Sequence, residues 1–238
     1  MNTSYNSLQI TAEKRLGKRV TAKAFYVFSK ALEDVQLDNN TVNGGAEDYR
    51  NLTLDRGRSD NDRRHVAVGS IIWNVDYFRG NSAVLKHILN GWEVSAIVTL
   101  QSGAPFSVTT GSDSNLDGNN NDRAMLIGDP FLDPNRPRSA TTALWFNTAA
   151  FEKVPNGVDG NSARNLLDKP GSKNVDGGLF RTFRITERLA LQLRGEFTNA
   201  LNIVNLGAPT ATLSSTQFGQ IRSASSMRQV QLGARMTF

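Results

Sequence analysis

The chain has 238 residues, 27 Lys plus Arg against 22 Asp plus Glu, and a formal net charge of +5. With 39% hydrophobic and 21% charged residues it is too apolar and too evenly charged for a disordered chain. Its positive side chains mostly alternate with apolar ones instead of clustering, which argues against a nucleic-acid partner. There is no cysteine, which excludes disulfide scaffolds, cysteine zinc sites and thiol catalysis; two histidines, His65 and His87, are too few for a histidine-rich metal site.

In chain order, Met1-Asn2-Thr3-Ser4-Tyr5 carries neither the basic nor the apolar part of a signal peptide. No stretch approaches the ~18 apolar residues of a membrane helix. A period of two then dominates. It predicts strands over 5–16 and 19–30, joined about Gly17-Lys18, and over 65–77 and 91–109. A short helical turn is expected at 82–89. Strands over 175–185 and 188–200 turn about Thr186-Glu187, and strands over 217–223 and 228–238 finish the chain. The segments 33–61, 111–174 and 202–216 hold most of the Asn, Asp, Gly and Pro residues and read as loops. No break in composition divides the chain into domains.

The faces of these strands are sorted by polarity. Leu189, Leu191, Leu193, Gly195 and Phe197 alternate with Gln192, Arg194, Glu196 and Thr198; Val230, Leu232, Ala234, Met236 and Phe238 alternate with Gln229, Gln231, Gly233, Arg235 and Thr237. Trp92, Val94, Ala96, Val98 and Leu100 alternate with Glu93, Ser95, Ile97, Thr99 and Gln101. Long strands with an uncharged apolar face suit a membrane barrel better than a soluble β-sandwich, which usually has shorter strands. The expected fold is therefore all-β, an antiparallel transmembrane β-barrel segment, with the sandwich kept as an alternative. Val230, Leu232, Leu191 and Leu193 should face outward, and Arg235, Gln231, Arg194 and Glu196 the lumen. Gly233-x-x-Met236-x-Phe238 resembles the C-terminal assembly signal of bacterial outer-membrane barrels.

Further segments resemble one group of barrels. Tyr5-Asn6-Ser7-Leu8-Gln9, Phe28-Ser29-Lys30-Ala31-Leu32-Glu33-Asp34, Asp62-Arg63-Arg64-His65 and Gly91-Trp92 are followed by Leu100-Gln101-Ser102-Gly103-Ala104-Pro105-Phe106. Then come Trp145-Phe146-Asn147-Thr148-Ala149-Ala150-Phe151, Arg184-Ile185-Thr186-Glu187-Arg188 and Glu196-Phe197-Thr198-Asn199-Ala200-Leu201-Asn202. Nearly the whole chain is thus collinear with, and similar to, TonB-dependent outer-membrane receptors. The closest group resembles the Oar-like transporters, which carry a carboxypeptidase-regulatory-like domain. The resemblance implies a barrel of about 22 strands, of which residues 1–238 would supply the C-terminal part, without plug domain or signal peptide. It implies residence in the bacterial outer membrane and active uptake of an unidentified ligand. The implied partners are membrane lipid and lipopolysaccharide, the barrel-assembly machinery at the C-terminal strand, and the energy-coupling complex through the missing plug. In isolation the segment should be an open, curved sheet. With the C-terminus at the periplasm, the long loops face outside only if a ninth strand lies within 144–154, and the Thr186-Glu187 turn is then extracellular. The alternative within membranes is a complete small barrel with a structural or adhesive role.

Asp113-x-Asn115-x-Asp117-Gly118-Asn119 matches the first half of a calcium loop, in which alternate oxygen ligands surround a turn glycine. Asp113, Asn115, Asp117 and Asn119 are the candidate ligands. Position 12, where a bidentate Glu is expected, is Ala124, so Asp122 or another loop would have to help. The other reading is a polar turn without metal. No cofactor is required, and no catalytic motif is present. His65 reads as a rim histidine, and Glu93 and Glu196 as single lumen carboxylates. Trp73, Tyr77, Trp92 and Trp145 could form interfacial girdles or pack within strands. Arg56, Arg58, Arg63 and Arg64 form a basic cluster, either paired to Asp55, Asp60 and Asp62 or available to an anion.

Overall fold

The computed structural model describes residues 2–17, 19–34, 46–48, 50–118, 120 and 122–238. The period of two builds one antiparallel sheet of long strands: β1 (Thr3–Leu16), β2 (Val20–Glu33), β3 (His65–Val75), β4 (Trp92–Gln101), β5 (Ser172–Arg184), β6 (Ala190–Thr198) and β7 (Gln229–Thr237). Each pairs with its neighbours in chain order, and the sheet is open, with β1 and β7 at its edges. Among the described residues, Gly57–Arg58 alone adds to it, against the end of β2. The turn about Gly17 is tight, and Lys18 lies outside the described residues.

Directly paired residues point to the same side of a sheet, so the register sorts the faces. One ladder row runs Ala12, Ala24, Gly69, Val98, Val175; the adjacent row runs Glu13, Lys23, Ser70, Ile97, Asp176. Carried across the sheet, the first face holds charge only toward strand ends, at Lys14, Lys30, Lys173 and Arg181. The second holds Glu13, Arg15, Lys23, Glu93, Asp176, Arg194, Glu196 and Arg235. Leu191, Leu193, Val230 and Leu232 share the apolar face, and Arg194, Glu196, Gln231 and Arg235 the polar one, as the alternation predicts. Charges on the polar face pair with one another: Glu13 with Arg15 at 2.9 Å and Lys23 at 3.2 Å, Arg194 with Glu196 at 2.5 Å.

Neither face covers a core. Among the described residues, Val27 is the only apolar side chain of the long strands that is buried; the others, such as Phe106, Phe146, Phe151 and Leu167, lie in the connections. Leu232 is 80% exposed. A β-sandwich needs a second sheet about 10 Å away, and no such sheet is present among the described residues. A face of this kind is at home in hydrocarbon.

Aromatic rings border the apolar face. At one rim Trp73 Nε1 donates to the Tyr77 hydroxyl at 3.1 Å, and the Arg181 guanidinium stacks over Phe183 and Trp92, 4.9 and 5.8 Å from their centroids. Gly91 makes this possible: its φ is +77° and a Cβ there would lie 2.2 Å from Arg181 Nη1. At the other rim His65 sits 5.2 Å from Phe28, with its Nδ1 2.8 Å from the Tyr26 hydroxyl. His65 and Trp73 are separated by about 27 Å of strand at ~3.4 Å per residue, a length that spans a ~25 Å apolar band once tilted. Trp145 lies elsewhere and donates to the Asp168 carbonyl at 2.7 Å.

The connections fall into two classes. Residues 34–64, 102–171 and 199–228 all leave one rim; the turns at 17–19 and 185–189, and the 76–91 connection with α1 (Ala83–Leu89), occupy the other. Ser82 caps α1 by accepting from the Leu85 amide at 3.4 Å, as expected for 82–89. Seven long strands stand where about nine were expected. The 144–154 segment does not cross; it holds a 3-10 turn and a two-residue strand, Phe151–Glu152. The 217–223 segment is not a strand either, because its backbone bonds go elsewhere: Gly219 N–H to Thr210 O at 2.9 Å and Ile221 N–H to Thr142 O at 2.9 Å. The 91–109 strand ends at Gln101, where Gly103 passes so close to Lys169 that a Cβ would lie 1.7 Å from its carbonyl oxygen. This count also moves the Thr186-Glu187 turn. It shares the short-turn rim with Gly17, opposite the long connections, and not the long-loop side on which it was expected.

Candidate functional site

The long-loop rim carries a folded cap. Its apolar centre is Phe106, Val108, Ala124, Phe146, Ala150, Phe151 and Leu167, with Leu213 and Phe218 from the last connection packed against it. Phe146 meets Phe151 and Phe218 edge-on at centroid distances of 5.7 and 5.2 Å. Short pairings of Pro105–Phe106 with Leu167–Asp168, and of Met125–Leu126 with Phe151–Glu152, hold the layers. A second helix, α2 (Arg138–Ala143), lies in the same connection. Sequence reading took these segments as loops because their Asn, Asp and Gly content masks the apolar residues. The signal available was the Phe and Trp spacing at Phe106, Trp145, Phe146 and Phe151.

A buried polar cluster ties the cap to the first long connection. Arg123 pairs with Asp55 at 2.6 Å and with Glu47 at 3.4 Å, and donates to the carbonyls of Ser162 and Leu54, each at 2.9 Å. The Arg123 amide donates to both Glu47 carboxylate oxygens at 3.0 and 2.9 Å, and the Gly160 amide to one of them at 3.0 Å. Glu47 is 1% exposed. Burial pushes its carboxyl above the ordinary 4.5, against the pull of Arg123. Gly160 is obligatory, since a Cβ would lie 1.8 Å from the Arg123 carbonyl oxygen. Sequence reading missed this cluster: its members are 68 and 76 positions apart.

The four arginines of the basic cluster are engaged. Arg56 pairs with Asp34, Arg58 with Asp62 at 2.9 Å and Asp168 at 2.8 Å, and Arg63 donates to the carbonyls of Asp60 and Asp62 at 3.0 Å. Arg64 stacks over Phe28 at 5.7 Å. Asp62 belongs here, whereas Asp55 belongs to Arg123. Asp60 accepts instead from the Asn165 side chain.

The candidate calcium loop lies at the cap surface. Asp113 accepts from the Asp117 and Gly118 amides at 3.1 and 3.0 Å. The Asn115 side-chain oxygen also accepts from the Asp117 amide at 3.1 Å, and its NH2 donates to Glu47 O at 2.7 Å and Asp159 Oδ1 at 3.0 Å. Asn119 lies outside the described residues. The structure brings Asp122 to this loop, with one carboxylate oxygen accepting from the Ser114 amide and, at 2.9 Å, from the Asn115 amide. Burial, and then the charges of Asp113 and Asp117, push its carboxyl above the usual range.

On the polar face of the sheet a groove of about 520 Å³ is lined by Ile72, Ile97, Phe180, Glu196 and Thr198, among others. Glu93 lies opposite Phe180, which lies opposite Arg194; Glu196 is two residues further on. Two strand spacings and two residues place Glu93 and Glu196 about 12 Å apart, beyond the reach of paired acid/base work. His65 Nδ1 lies 2.8 Å from the Tyr26 hydroxyl, and the His65 backbone amide donates to Ser102 Oγ at 3.0 Å.

Neither the curated proteins nor the solved structures contain a match to this chain. The family comparison does find one: residues 1–231 match the model of an outer membrane beta barrel domain. Sheet, aromatic borders, sorted faces and this match agree: the chain belongs to the outer membrane β-barrel domain family and resides in the bacterial outer membrane.

Proposed function

We propose that the chain forms part of the barrel wall, and the extracellular cap, of a TonB-dependent transporter of the Oar-like kind that takes up a ligand actively. The observation that carries this reading is the open sheet: β1 and β7 each have one neighbour. Hydrocarbon does not tolerate unpaired backbone groups, so both edges need partner strands. A wall of seven long strands bearing a structured cap suits a large barrel. The collinear resemblance of the chain to TonB-dependent receptors points to the same class. In this reading the polar face borders the lumen, its groove at Ile72, Ile97 and Phe180 contributes to the ligand path, and the cap meets ligand first. The chain's role is binding and scaffolding, without catalysis.

The test uses the polypeptide that carries this chain, extracted from native outer membranes. It should migrate well above 26.1 kDa and be retained by the immobilised periplasmic domain of TonB. A heat-modifiable species of about that mass, in which cysteines placed on β1 and β7 cross-link, would overturn the reading in favour of a small closed barrel.

A further inference from the structure

Asp113, Asp117 and Asp122 each present a carboxylate oxygen, and these oxygens all lie within 4.8 Å of one another. Such a cluster on a surface is common, but Asp122 is not on the surface: it is fully buried, at 0% exposure. One of its oxygens is spent on the Ser114 and Asn115 amides. The other, Oδ1, is buried and has no hydrogen-bond partner among the described residues. No ion pair reaches Asp113 or Asp122 among the described residues either. The adjacent cation, Arg123, turns away and spends its guanidinium on Asp55, Glu47, Leu54 O and Ser162 O. A buried anionic oxygen with neither donor nor cation is costly, and three converging carboxylates add their mutual repulsion.

We infer that Asp113, Asp117 and Asp122 bind one calcium ion that fastens the 113–122 loop to the cap. Calcium takes six to eight oxygens at about 2.3–2.6 Å. Oxygens bound to one such ion lie within about 5 Å of one another, and these carboxylate oxygens lie within 4.8 Å. Magnesium, at about 2.0–2.1 Å, demands a near-ideal octahedron and keeps several waters, which a loop supplying three carboxylates from irregular backbone suits less well. The Asp122 Oδ1 supplies the buried ligand and the more exposed Asp117 the outer one. The chemistry differs from a linear calcium loop: Asp122 enters from beyond the turn, while Asn115 has its NH2 on Glu47 and Asp159. Because Arg123 follows Asp122 and its amide is held by Glu47, the ion braces the same segment that the buried Arg123 cluster anchors. The site does not depend on the transport reading, because it involves only the cap.

The test is calorimetric titration of the full polypeptide in detergent micelles, stripped with EGTA, using calcium chloride alone and then magnesium chloride alone. Wild type should show saturable calcium binding at one site that Asp117→Asn and Asp122→Asn each weaken at least tenfold, with magnesium binding much more weakly. Calcium should also slow proteolysis within 113–122. Asp122→Asn keeps the amide-accepting oxygen, and Asp117→Asn alters an exposed position, so it remains informative if Asp122→Asn fails to fold. Absence of saturable binding in wild type, or unchanged affinity in a folded Asp117→Asn protein, would overturn the assignment.

Discussion

Arg123 is the residue on which the cap turns. Its guanidinium pairs with two carboxyl groups that are almost wholly removed from water, Glu47 and Asp55. Removing one partner of a buried charge cluster typically costs about 3–5 kcal/mol, because the others are left uncompensated. Arg123→Met should therefore open the cap while leaving the sheet in place. Hydrogen exchange should rise sharply over 46–62 and 102–171, with heat-modifiable migration retained; unchanged exchange would mean the cluster is not an anchor. Glu47 adds a pH dependence. Burial holds its carboxyl above 4.5, so between 4.5 and that raised value the folded cap binds more protons than the unfolded segment. This contribution is fully present below 4.5 and is lost as pH rises through the folded value. Measured against Glu47→Gln, protection of the Arg123 and Gly160 amides should weaken as the pH rises from about 4.5 to about 7. Parallel profiles for the two proteins would contradict this.

Among the elements, β7 is the most exposed to test. Val230, Leu232, Ala234 and Met236 share one face with Leu191 and Leu193, and Gln231, Gly233 and Arg235 the other, so a slip of one residue would drive Arg235 into lipid. An arginine on the lipid face costs about 2–4 kcal/mol at the midplane and little at the interface. Leu232→Arg should thus lower outer-membrane levels and refolding yield, whereas Arg235→Leu should leave both near wild type. Equal damage from the two would reverse the assignment of faces. Phe238, 95% exposed beyond the end of β7 at the short-turn rim, adds little burial energy there. Arg181, one of four cations on the apolar face of the described long strands, is accommodated near a strand end because its guanidinium stacks on Trp92 and Phe183.

At the scale of the molecule there are two structures with different solvents. The sheet has no apolar core of its own and is stabilised by ladder hydrogen bonds and lipid, while the cap has a conventional aromatic core in water. They should therefore melt separately. Phe146 is 2% exposed and touches three other phenylalanines. Truncating such a buried ring costs about 3–5 kcal/mol. Phe146→Ala should lower the cap transition, followed by near-ultraviolet circular dichroism, with the strand signal unmoved. A single shared transition displaced as a whole would show that cap and wall are one cooperative unit.

The sequence by itself determined the wall. Strict alternation at Leu189–Phe197 and Val230–Met236 names the strands and their lipid faces, because in a two-sided environment each side chain reports its own solvent. Strand polarity was legible too, but not the strand count. Alternation over 217–223 and 144–154 is local, and only tertiary structure shows that those backbone bonds are spent within the cap. The cap was illegible for a related reason. Glu47, Asp55 and Arg123 carry no pattern in sequence and acquire meaning only when folding removes water from all three together. Asp122 was legible only as a possible helper to the loop; its burial, and an oxygen with no hydrogen-bond partner among the described residues, come from the tertiary structure.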